Sequence, residues 1–254
     1  MAAEKGCVRT GSQIGIMISE VSNPNLIRIF KQAGMDYLII DDEHGGFDFS
    51  QLSAMIAVAT GIQMKTIVRV PGVDRNYILK VLDMGADGIL VPMVNTEEDA
   101  KKIVEFSKYV PVGKRGVSTT RAHTEYTPQN LKEYFKKAND KVFSYIQIET
   151  REAVANAGKI AAVEGIDGIF IGPNDLATDL GKPGEVTAPE VLDTIAEVAK
   201  KTKNAGKPLG VITGKQDLIL ACRELGFSIF SIGSETDLLL NGAKSRVKQY
   251  QEIL

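Results

Sequence analysis

Short apolar or β-branched runs recur through the whole chain and alternate with stretches of helical periodicity. They fall at 14–18 (Ile-Gly-Ile-Met-Ile), 37–41, 66–70 (Thr-Ile-Val-Arg-Val), 88–92 (Gly-Ile-Leu-Val-Pro), 142–148, 168–172, 208–212 and 228–232. Strand-length runs alternating with helices are the signature of a parallel sheet. Eight of them in 254 residues match the usual size of one (β/α)8 barrel, so 1–254 reads as a single barrel domain.

The punctuation agrees. Thr187-Ala188-Pro189-Glu190 combines an N-cap, a first-turn proline and a capping-box glutamate, and Thr96-Glu97-Glu98-Asp99 and Thr127-Pro128 resemble it. Gly34, Gly85, Gly165 and Gly226 fall where helices should stop before the next strand. Gly85–Pro92 and Gly165–Gly172 echo one another, as similar helix-to-strand turns of one barrel would. The longest connection carries a helix at about 96–107, a polar loop at 111–126 and a second helix at about 128–138. A loop of that length and polarity often covers a site. From Thr236 to Leu254, the stripe Leu239, Ala243, Val247, Tyr250 and Leu254 predicts one last helix with a continuous apolar face.

Composition narrows the function classes. Thirty basic and 32 acidic residues leave a net charge of −2 with no basic block, so nucleic acid is not an expected partner. The N-terminus lacks a secretory apolar region and no run approaches the ~18 apolar residues of a membrane span, so a cytoplasmic protein without a membrane partner is expected. Cys7 and Cys222 form no metal or redox spacing, and Cys222 reads as a small core residue.

Chemistry gathers at the ends of the apolar runs, where a barrel keeps its active site. Asp41-Asp42-Glu43-His44 follows the second run and Arg69 closes the third; Gln147-Ile148-Glu149 ends the fifth and Asn174-Asp175 follows the sixth. Glu149 and Asp175 would lie on adjacent strands. Two carboxylates without cysteine or a histidine pair favour a hard divalent ion, Mg2+ or Mn2+ first; the plainer reading is a pair of helix-cap or ion-pair carboxylates. Arg69 suits a carboxylate, phosphate or developing oxyanion, or else a structural salt bridge with Asp41 or Glu43. His44 is the natural general base, with Asp41 the nearest group to tune it. His123, in the long loop, is expected to face solvent. Lys65, Lys141 and Lys207 precede their strands and belong to the barrel floor, which leaves Lys215 as the one Schiff-base candidate. Gly233-Ser234-Glu235-Thr236 could open a helix that accepts an anion.

Taken in order, Asp41-Asp42-Glu43-His44, Val68-Arg69-Val70-Pro71, Leu90-Val91-Pro92-Met93-Val94, Lys114-Arg115-Gly116-Val117, Gln147-Ile148-Glu149-Thr150 and Asp167–Leu176 resemble the HpcH/HpaI family of metal-dependent (class II) pyruvate aldolases. Its members cleave 4-hydroxy-2-oxo acids such as 4-hydroxy-2-oxoheptanedioate or 2-dehydro-3-deoxyglucarate. The resemblance runs from Gly11 to about residue 250. It implies a barrel of the phosphoenolpyruvate/pyruvate type and a reversible retro-aldol reaction giving pyruvate and an aldehyde. A divalent ion would assist, Mg2+ or Mn2+ with Co2+ as a third choice. The same resemblance makes His44 the base, Arg69 the stabiliser of the enolate, and Glu149 with Asp175 the metal ligands. Gln147, Asn174 and Asp175 would contact the 2-oxo acid, and Asp83 would raise the basicity of His44. The resemblance further implies a homohexamer, a trimer of dimers that exchange the last helix. Two departures bear on the substrate: Asn174 stands where the family often has a small residue, and Gly45-Gly46-Phe47 replaces its usual sequence after the histidine. A thioester-utilising carbon–carbon lyase or synthase on the same barrel, and a catalytically silent 2-oxo-acid-binding protein, are the alternative readings.

Overall fold

The computed structural model describes residues 11–127 and 130–254. Eight parallel strands close into a barrel in sequence order: β1 (Gln13–Ile18), β2 (Tyr37–Asp41), β3 (Lys65–Arg69), β4 (Gly88–Val91), β5 (Phe143–Ile148), β6 (Gly168–Ile171), β7 (Leu209–Ile212) and β8 (Ile229–Ser234). Every expected strand is present, with ends displaced by no more than two residues.

Outside the barrel run α1 (Asn25–Gln32), α2 (Phe49–Gly61), α3 (Arg75–Asp83), α4 (Glu97–Ser107), α5 (Leu131–Lys141), α6 (Arg151–Ala162), α7 (Pro173–Asp179), α8 (Pro189–Thr202), α9 (Gln216–Glu224) and α10 (Glu235–Gln251). Two of these, α5 and α7, are additions to the plain alternation of strand and helix. None of the described helices is long and apolar enough to cross a membrane.

Several helix ends behave as their residues require. Thr96 accepts from the Asp99 amide as an N-cap, and Gly34, Gly85, Gly165 and Gly226 all hold φ between 90° and 98°. That left-handed region penalises any residue with a Cβ. Two expected helix starts differ. Pro189 is the first residue of α8, so Ala188 occupies the cap position and Thr187 lies outside it. The helix expected from about 128 begins at Leu131 behind Asn130, and Pro128 lies outside the described residues.

Side-chain alternation along the strands divides the core in two. One face of each strand packs on the helices; the other fills the barrel with Met17, Tyr37, Ile39, Ile67, Leu90, Tyr145, Phe170 and Ile229. The large interior rings fit because a glycine on the neighbouring strand stands opposite them: Gly15 beside Tyr37, Gly168 beside Tyr145, Gly210 beside Phe170. A Cβ at these glycines would come within 2.5, 2.8 and 2.7 Å of the rings. The same alternation carries Asp41, Arg69 and Gln147 inward at the C-terminal ends of their strands, and the chain continues to Glu149 just beyond β5.

Candidate active site

Parallel pairing aligns Asp41 of β2 with Arg69 of β3, and the two side chains meet in a planar fork. Arg69 Nε donates to Asp41 Oδ1 and Nη2 to Oδ2, both at 2.8 Å, while Nη1 lies 3.1 Å from Glu43 Oε2. Asp41 Oδ1 also accepts the Glu43 amide at 3.1 Å. Both structural partners considered for Arg69 are thus real. Burial works against the guanidinium charge, but the bonds and charge of Asp41, with Glu43 and Glu149 behind them, push the Arg69 pKa above its ordinary value. This cation is fixed in place and permanently charged.

Across the mouth, Glu149 and Gln147 are both buried. Glu149 Oε1 accepts the Met93 amide at 2.6 Å, and Oε2 accepts from Gln147 Nε2. Burial raises the Glu149 pKa; the Met93 and Gln147 donors oppose this, and the charges of Asp175 and Glu43 add to it. Glu43 is likewise raised by burial, against the pull of Arg69 and His44 and with Asp41 and Asp175 adding. Asp175 lies in the first turn of α7 and is exposed, as is Asn174 beside it. Gly172 has no room for a side chain, because a Cβ there would run into Glu149 Oε2 and Gln147 Nε2.

The donor set fits a hard divalent ion. Asp41, Glu43 and Glu149 act on one arginine with the exposed Asp175 nearby, and carboxylates in excess at a largely buried site call for a compensating cation. Gln147 Oε1 is buried with no hydrogen-bond partner among the described residues. No three described His, Cys, Asp or Glu side chains are grouped so as to hold an ion by themselves. Glu149 and Asp175 are the carboxylates that would hold such an ion, a set too small to close its coordination shell.

His44 is exposed in the loop after β2. The bonds of Asp41 go to Arg69 and the Glu43 amide, so Asp41 fixes the arginine. Asp83 ends α3, at the floor end of the barrel. Its carboxylate meets Arg115 Nη2 at 2.7 Å and lies 3.8 Å from His123 Nδ1, which also contacts the Asp83 carbonyl at 3.2 Å. His123 is accordingly not solvent-facing: its side chain is 6% exposed, and burial and Arg115 lower its pKa against the pull of Asp83. The loop after α4 thus packs along α4 and α3, with Arg115 and His123 against the end of α3.

Two further candidates can be placed. Lys215 is exposed at the start of α9 and donates to the Gly184 carbonyl at 3.3 Å. The start of α10 already holds the protein's own carboxylates. Asp237 closes a capping box with Ser234, and the fully buried Glu235 accepts the amides of Ser19, Glu20 and Val21 at 2.9, 2.6 and 3.0 Å. Sequence reasoning missed Met93 and Gly172 as parts of the site. The only visible signal for either was its place just past a strand end.

The profile of the family described as HpcH/HpaI aldolase/citrate lyase matches residues 15–242. A 5-keto-4-deoxy-D-glucarate aldolase of Citrobacter koseri is 35% identical over 88% of this chain and 86% of its own length. A hydroxypyruvate/pyruvate aldolase of Roseovarius nubinhibens is 32% identical over 91% of this chain and 89% of its own. The crystal structure of an HpcH/HpaI aldolase from Desulfitobacterium hafniense superposes with a TM-score of 0.89 at 33% identity, covering 95% of this chain and 93% of that one.

Proposed function

The chain belongs to the HpcH/HpaI aldolase/citrate lyase family, and on that premise we propose that it is a divalent-metal-dependent aldolase. It reversibly cleaves a 4-hydroxy-2-oxo acid to pyruvate and an aldehyde. The observation that carries this reading is the pairing of a rigid guanidinium with a carboxylate-rich pocket at one barrel mouth, Arg69 on one side and on the other Glu149 beside Gln147, whose Oε1 has no partner among the described residues.

Glu149 and Asp175 would hold the ion, Mg2+ or Mn2+, with Gln147 and Asn174 beside the 2-oxo acid. When bound, the ion supplies Lewis-acid polarisation of the 2-oxo group. His44 takes the proton of the C4 hydroxyl, the oxygen's electrons form the aldehyde carbonyl, and the C3–C4 bond breaks. Its electron pair becomes the enolate of pyruvate, with the charge on the C2 oxygen. Arg69 offers that oxyanion a donor whose position is set before the reaction, so no reorganisation is needed as charge develops. Return of that proton from His44 through water to C3 then completes pyruvate and restores the base.

We extend the proposal to assembly. Of the expected stripe, Leu239, Ala243, Val247 and Tyr250 lie on α10 and Leu254 just past its end; all are exposed, and Glu235 is the one buried residue of the helix. An apolar face this long calls for a cover. A second copy exchanging α10, within a homohexamer, is the cover we propose. The same arrangement would let Asp83, whose side chain is 19% exposed, approach His44 of a neighbour.

The test is release of pyruvate from a panel of 4-hydroxy-2-oxo acids, with and without Mg2+ or Mn2+. Metal-stimulated turnover of at least one is expected. Turnover only with a CoA thioester would favour the lyase or synthase alternative, and 2-oxo-acid binding without turnover the silent binder.

A further inference from the structure

Met93 follows β4 at the barrel mouth with φ of 54°, in the left-handed region that residues with a side chain rarely enter. Its side chain gives no reason for that conformation, since the residue is 51% exposed. Its backbone does. The Met93 amide donates to Glu149 Oε1 at 2.6 Å, and the next amide, Val94, donates to the Gln147 carbonyl at 3.4 Å. In an extended chain, consecutive N–H groups point to opposite sides, so only one of the two could face β5. A left-handed residue turns the chain so that both do, in the manner of a backbone nest. Val94 is then fully buried, which anchors the turn.

We infer that Met93 is a positioning residue for Glu149, acting through its left-handed backbone and not through its side chain. The inference rests on the reading of Glu149 as a metal ligand. With Met93 N–H on one oxygen and Gln147 Nε2 on the other, the carboxylate is held at both ends, and each oxygen keeps a lone pair for a cation. Outer donors of this kind typically change metal affinity about 10–100-fold when lost.

This reading makes an order of effects that loss of side-chain contacts would not. Met93→Gly removes the whole side chain but accepts positive φ freely, and Met93→Asn tolerates it; Met93→Val keeps apolar bulk but is β-branched and excluded from that region. The experiment is calorimetric titration of the full chain with Mn2+ alone, each variant first shown to be folded by its thermal transition. Gly and Asn variants are expected to bind Mn2+ within about threefold of the parent, and Val on the order of tenfold or more weaker. If the Val variant does not fold, Met93→Ala replaces it, with an affinity expected below that of the Gly variant. Equal affinities across the series, or an order in which Gly is worst, would overturn the role of Met93. A parent protein that binds no Mn2+, or a Glu149→Gln variant that binds it as well as the parent, would instead overturn the metal reading itself.

Discussion

Replacing Arg69 with lysine keeps the charge and removes the fork. In the parent, three N–H groups reach three carboxylate oxygens: Asp41 Oδ1 and Oδ2 at 2.8 Å each and Glu43 Oε2 at 3.1 Å. One ammonium cannot span that set. Asp41 Oδ1 retains the Glu43 amide, but a lysine that reaches Oδ1 or Glu43 leaves Oδ2 without a donor, in a residue only 2% exposed. An unsatisfied buried acceptor costs about 1–3 kcal/mol. The larger penalty of about 3–5 kcal/mol for an uncompensated buried charge does not apply, because a cation remains. Against a typical domain stability of about 5–15 kcal/mol the variant should stay folded, with its unfolding midpoint lowered. Turnover should fall much further. Loss of one preorganised oxyanion donor corresponds to a fall on the order of 10²-fold or more in kcat. The assay is pyruvate release at a temperature where urea titration shows both proteins folded. If Arg69→Lys lowers stability as expected but keeps near-normal kcat/KM, Arg69 is a structural cation and the enolate assignment is refuted.

His44→Ala should reduce kcat on the order of 10²-fold or more while leaving Mn2+ affinity nearly unchanged, because His44 is proposed as base and not ligand; a large loss of Mn2+ binding would move it into the coordination shell. Asp42 gives a pH signature. Burial pushes its carboxyl up to about 6, so between the ordinary aspartate value and that point the folded state binds more protons than the unfolded one. Stability from this group is therefore present at low pH and lost as pH rises through about 6. Asp42→Asn should stabilise the protein more at pH near 7.5 than near 4.5, read as the difference in unfolding midpoints, and an equal offset at both would contradict the shift. Light scattering should give six chains per particle, and a fully active monomer would contradict both the exchange of α10 and the approach of Asp83 to a neighbouring His44.

The strands were legible because they are covered on both faces, so each is a compact apolar run whose ends coincide with its polar residues. Asp41, Arg69, Gln147 and Glu149 were legible for the same reason: a charged residue closing a buried strand has few places to go but the mouth. What depends on register between strands was not. Which glycine faces Tyr37 or Phe170, and that Gly172 must clear Glu149, follow from pairings a single strand does not encode. The left-handed turn at Met93 carries no glycine or asparagine to announce it. The polar loop around His123 was recognisable as a surface segment, but polarity does not say which end of the barrel it covers. Composition alone therefore misjudged the burial of His123 against Asp83. The apolar stripe of α10 was plain in the sequence, while its exposure within the chain depended on Glu235 tethering only the helix start to the loop after β1.

The central claim is that carbon–carbon cleavage depends on an ion held by Glu149 and Asp175, and the most direct test is turnover by chelator-treated protein before and after metal is returned. Activity should collapse on chelation and recover with Mn2+ or Mg2+, and Glu149→Gln should not recover at any concentration that restores the parent. Full activity in a verified metal-free preparation, accompanied by borohydride trapping of pyruvate on Lys215, would contradict the account.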